Sequence, residues 1–136
     1  MIPLSQKDKE FASLLKLEIT GKEDTVSHEE MLERISKCDI VLYTTFVECA
    51  PILPLECLEL GVLCLTGDNH HYWDDCPELK DYLVEPRVDN PVAIAKHAEY
   101  SLAHKAEIMK LYAKWKKQYD TECARNLDDF LDISGN

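Results

Sequence analysis

The chain has 136 residues, 46% of them hydrophobic, which suits one domain around a single buried core. A net charge of -11 argues against nucleic acid as a partner. No apolar run approaches the ~20 residues a membrane helix needs. Met1 to Glu10 is polar and charged, unlike a signal peptide, so the expected location is the cytoplasm. The six cysteines, at 38, 49, 57, 64, 76 and 123, form no C-x-x-C pair. They read as reduced, mostly buried thiols, with Cys38, Cys57 and Cys64 in expected helix or strand.

In chain order, His28 to Lys37 reads as a helix, with Ser27 as N-cap, Glu30 completing a capping box, and Met31, Leu32 and Ile35 as its apolar stripe. Asp39 to Tyr43 is a short β-branched run of the kind buried on both faces of a parallel sheet. A turn follows, then a helix from Ile52 to Leu60 stopped by Gly61, then a buried strand from Val62 to Leu65. Gly67 to Cys76 is turn-rich, and Leu83 to Pro86 reads as a last short strand. Pro91 opens a helix in which Val92, Ala95, Ala98 and Leu102 share a face. Ile108, Leu111, Tyr112, Trp115 and Tyr119 continue at helical spacing, and Leu127, Phe130 and Leu131 close the chain. The β-turn-α-β order implies a right-handed crossover, with the turn after Tyr43 at the sheet edge where such folds bind ligands.

That turn carries Thr45, Glu48, Ala50, Pro51, Ile52, Leu53 and Glu56, two carboxylates eight positions apart. The spacing, with Thr45 before it and Gly61 after it, resembles the E-x7-E donor-site signature of glycosyltransferases of the GT-B fold. The resemblance implies an α/β fold: a Rossmann-like parallel sheet with flanking helices, as in the GT-B C-terminal domain. It further implies that Glu48, as the catalytic-site carboxylate, contacts hydroxyls of the transferred sugar. Ala50, Pro51, Ile52 and Leu53 would cradle sugar and diphosphate, and Glu56 would bind the ribose. A helix starting near Ile52 offers unpaired N–H groups to a diphosphate. The sequence departs from the family pattern at Cys49, where Gly is preferred, and at Thr44 and Leu63, where Pro is common. Leu17 to Gly21 resembles the strand and Gly that precede the family's nucleotide-base loop, here Lys22 to Ser27.

The whole chain, 1–136, reads as one domain with its core at about 13–131, similar to the C-terminal donor-binding portion of such an enzyme. The resemblance implies a nucleotide-diphosphate sugar as substrate, no metal, no separate cofactor, and retention of anomeric configuration. It also implies an N-terminal acceptor-binding domain or subunit beyond this chain, without which transfer is not expected. The alternative is a non-catalytic Rossmann-like binding or scaffold domain with a degenerate donor site. Phe46, Ile52, Tyr72 and Trp73 are the expected apolar cleft face, and with it goes an expectation of self-association.

Residues 91 to 136 hold 7 basic and 7 acidic side chains, against 8 and 19 in residues 1 to 90. Within the tail, His104, Lys105, Lys110, Lys114, Lys116 and Lys117 form a basic stretch, suited either to a solvated face or to peripheral contact with an anionic membrane. His70, His71, Asp74, Asp75 and Cys76 are metal-ligand types in one loop, but lack a ligand pair at helical spacing, and no metal is assigned. The resemblance implies that this segment lines the interdomain cleft, which leaves room for a role of His70 or His71 near the donor, with no motif to fix it. There is no G-x-G-x-x-G, no Walker A lysine and no G-x-S-x-G elbow, so those phosphate and nucleophile chemistries lack their residues.

Overall fold

The computed structural model describes residues 26–48 and 51–134. The chain divides after Met31 into two compact units. Of the first, the described part is the start of helix α1 (His28–Ile35). There the Ser27 hydroxyl accepts the Glu30 N–H at 3.1 Å, the expected N-cap. The expected strand at Leu17 to Gly21, most of the Lys22 to Ser27 loop, Cys49 and Ala50 lie outside the described residues.

The second unit is mixed α/β. It holds strands β1 (Ile40–Tyr43) and β2 (Leu63–Thr66), and helices α2 (Leu53–Glu59), α3 (Pro77–Leu83), α4 (Pro91–Ala103) and α5 (Lys105–Ser134). β1 and β2 are parallel, with Ile40 opposite Leu63 and Tyr43 opposite Thr66. Between them, α2 ends as its sequence dictates. Gly61 takes φ 74°, its N–H bonds to the Leu58 carbonyl at 3.0 Å, and the Val62 N–H bonds to the Cys57 carbonyl at 2.9 Å. That pair of bonds is a Schellman motif, and only the residue without a Cβ enters it without strain.

The core joins Leu58 and Leu63 to Trp73, Leu79, Leu83, Val84, Ile108, Tyr112 and Trp115. Trp73 meets Trp115 edge to face, centroids 4.7 Å apart. Two polar tips on this cluster find carboxylates: Trp115 Nε1 donates to Asp75 at 2.9 Å and the Tyr112 hydroxyl to Glu59 at 2.6 Å.

Four expectations are corrected. β1 is not buried on both faces, since Leu42 is 54% exposed; among the described residues only β2 pairs with it. Leu83 closes α3 rather than opening a strand, and the strand shrinks to a single parallel bridge, Thr66 with Val84. The inward face of α4 is Ala93, His97 and Ser101, because His97 Nε2 and the Ser101 hydroxyl reach the Tyr82 carbonyl; Val92 and Leu102 face outward. Cys57 and Cys64 are buried as expected, but Cys38, between α1 and β1, and Cys123, on α5, are exposed.

Candidate functional site

The carboxyl ends of β1 and β2 feed two loops, Thr44 to Ile52 and Gly67 to Cys76, and these are tied together. Asn69 Nδ2 donates to the Thr45 carbonyl at 2.6 Å and to the Thr45 hydroxyl at 2.9 Å. The approach requires glycine at 67: a Cβ there would stand 2.6 Å from the Thr45 carbonyl oxygen and 2.9 Å from Val88. Thr45 is thus held as part of a rigid rim. Asn69 Oδ1, buried in the same rim, has no partner among the described residues.

Glu48 is half-buried, and its carboxylate accepts a hydrogen bond from the Tyr43 hydroxyl at the last residue of β1. That bond to the carboxylate, then burial, raises the Tyr43 pKa. Burial and the Glu48 charge raise Tyr72 in the same way, so two phenols border this carboxylate. Sequence reasoning did not assign Tyr43 a role; its signal was a polar-tipped aromatic ending an otherwise aliphatic strand. Glu56 is half-buried on α2, one turn into the helix.

The α2 start is a narrower donor set than the sequence suggested. Pro51 and Pro54 have no N–H, and the Leu55 and Glu56 N–H groups both bond back to the Ile52 carbonyl, at 3.0 and 3.1 Å. Ile52 and Leu53 therefore carry the backbone donors between Pro51 and Pro54. Pro51 is buried, Leu53 half-buried and Ile52 66% exposed.

The histidine loop divides into an inner and an outer half. The single Thr66 hydroxyl proton goes to the Leu83 carbonyl at 3.1 Å, so at 2.9 Å from the same oxygen His70 Nε2 is the donor. His70 Nδ1 accepts the Tyr72 N–H at 3.4 Å, which completes a neutral ring, and burial lowers its pKa. In the fold His70 is a strut under the rim, tied to Thr66 and to the Tyr72 backbone. His71 is solvated and pairs with Asp74 at 2.8 Å, while Lys80 bridges Asp74 at 2.9 Å and Asp68 at 3.2 Å. Of the expected apolar cleft face, Phe46 and Ile52 are exposed at 73% and 66%, but Trp73 is 1% exposed, drawn inward by the aromatic core. Among the described residues no group of three or more His, Cys, Asp or Glu could hold a metal ion. No helix among them is long and apolar enough to cross a membrane.

A separate open cleft of about 450 Å³ lies where α3 and α4 meet, lined by Glu85, Arg87, Asn90, Lys96, His97 and Tyr100 among others. Glu85 at its floor is 1% exposed and accepts from Arg87 Nε at 2.9 Å, the Arg87 N–H at 2.9 Å and His97 Nδ1 at 3.3 Å. The Arg87 guanidinium above all holds its carboxyl down to about 2 despite burial. Asn90 caps α4, its side chain accepting the Val92 and Ala93 N–H groups at 3.1 Å. These bonds fasten α4 to the end of α3, a structural use of charge.

No protein-family model matches the chain, no curated protein matches it, and no solved structure matches it.

Proposed function

We propose that this chain is the donor-binding part of a GT-B glycosyltransferase, a Rossmann-like domain that holds a nucleotide-diphosphate sugar. The observation that supports the reading is the position of Glu48 and Glu56. They flank the turn from β1 into α2, at the carboxyl edge of two parallel strands, where open α/β sheets take ligands. In this reading Glu48, oriented by Tyr43, accepts bonds from sugar hydroxyls. Glu56 accepts from the ribose diol, and the Ile52 and Leu53 N–H groups face the diphosphate.

With so few backbone donors, binding is weak until cationic residues from elsewhere in the enzyme complete the phosphate site. Transfer needs an acceptor held in line with the donor carbon, and such positioning supplies up to ~7–11 kcal/mol of barrier lowering. The acceptor side belongs to a further domain or subunit, so the chain alone binds without transferring. Amide NMR with added UDP or GDP tests the reading. Shifts concentrated at Thr45 to Glu48 and Ile52 to Glu56 are expected; shifts scattered over the surface, or none at millimolar ligand, refute it. In that event the scaffold reading stands.

A further inference from the structure

Helix α5 is one continuous rod, Lys105–Ser134, and its charge is segregated along its length. Residues 105 to 117 carry five lysines against one glutamate, and residues 118 to 134 carry five acidic side chains against one arginine. Among the described residues the first half packs on the core, through Ile108, Tyr112 and Trp115, with Tyr119 the last residue against it. From Asp120 to Asp132 every residue is exposed, including Leu127 at 57%.

The charges are also ordered around the helix. At 3.6 residues per turn, Lys110, Lys114, Thr121, Asp128 and Asp132 fall on one face. Lys110 and Asp132 stand eleven residues either side of Thr121, and Lys114 and Asp128 seven either side. Lys110, Lys114, Asp128 and Asp132 are all exposed. Such a face is complementary to itself when reversed. Laid antiparallel about Thr121, two copies bring each Lys110 to the other's Asp132 and each Lys114 to the other's Asp128.

We propose that α5 is a self-association surface, pairing antiparallel with α5 of a second copy about a two-fold axis at Thr121. The contact is isologous, so it closes as a dimer and not a filament. Each copy supplies both signs, which gives four intermolecular ion pairs. In this register Lys117 meets Arg125, the one like-charge approach; Arg125 keeps Glu122 of its own helix at 3.7 Å. Exposed ion pairs are individually weak and screened by salt, so the dimer is one of modest affinity that salt dissolves. This surface is separate from the Phe46 and Ile52 face, and it stands whether or not the chain binds nucleotide-sugars.

Sedimentation of the full chain at about 20 mM and about 500 mM salt tests the proposal, with association weakening at least about tenfold at the higher salt. Lys110→Glu with Lys114→Glu makes the pairing face acidic at both ends, and Asp128→Lys with Asp132→Lys makes it basic at both. Each double variant alone is expected to be monomeric, and an equimolar mixture of the two to regain the dimer, an outcome that loss of fold cannot produce. A wild-type chain that stays monomeric at low salt overturns the proposal. So do a dimer that survives in either double variant and a mixture that stays monomeric. Wild-type monomers that instead bind phosphatidylglycerol vesicles through Lys110 and Lys114 would assign the basic half to a membrane surface and overturn it too.

Discussion

Replacing Glu85 by Gln isolates the clasp between α3 and α4. The side chain is 1% exposed, and its oxygens accept from the Arg87 backbone, the Arg87 guanidinium and His97. Its carboxyl sits at about 2 against an ordinary 4.5. At ~1.4 kcal/mol per pKa unit the gap sets a ceiling of about 3 kcal/mol. Because the Arg87 side chain is 66% exposed and shares its charge with water, we take about 2 kcal/mol as the part realised. For a unit of this size that corresponds to a Tm lower by about 6–10 °C near neutral pH.

The pH dependence follows from the direction of the shift. The folded carboxyl is the stronger acid, so its stabilisation is complete above the ordinary value and is lost as pH falls from 4.5 toward about 2. Circular-dichroism melts of both proteins at about pH 7 and about pH 3 should show a gap that closes with acid. A gap that persists unchanged at low pH, or none at neutral pH, would refute the charge argument and leave Glu85 a space-filler.

Gly67→Ala forces a Cβ to within 2.6 Å of the Thr45 carbonyl oxygen; denaturant melts should show a loss of about 1–3 kcal/mol, with amide shifts at Thr45 and Asn69. Because burial keeps His70 neutral in the fold, its contribution holds above the ordinary histidine range and falls as pH drops below 6.5; titration of the His70 ring by NMR should give a midpoint below that value. On the proposed donor-binding reading, Glu56→Gln should weaken nucleotide binding by about 1–3 kcal/mol, and a collapse of stability with binding intact would make Glu56 structural. Tyr112→Phe removes the 2.6 Å bond to Glu59 and should cost about 1–2 kcal/mol in equilibrium unfolding with no effect on nucleotide affinity.

Local chemistry made much of the fold legible. Ser27 capping α1, Gly61 closing α2 and Pro91 opening α4 are written in residue types whose backbone preferences need no distant partner. The aromatic and aliphatic spacing from Ile108 to Tyr119 likewise announced the helix face that covers the core. The Glu48 to Glu56 spacing marked one turn as the place to look for chemistry. What the sequence could not contain was which polar groups would find partners far along the chain. His97 and Ser101 face inward on α4 only because carbonyls of α3 wait there, so an apolar-stripe rule chose the opposite face. His70 became a strut because Thr66 had already given its one proton to Leu83. Tyr43 acquired a role only when the chain turned Glu48 back onto it. Periodicity reports what a segment wants from water, and it is local. Hydrogen-bond satisfaction is decided between segments, and tertiary structure alone brings those segments together.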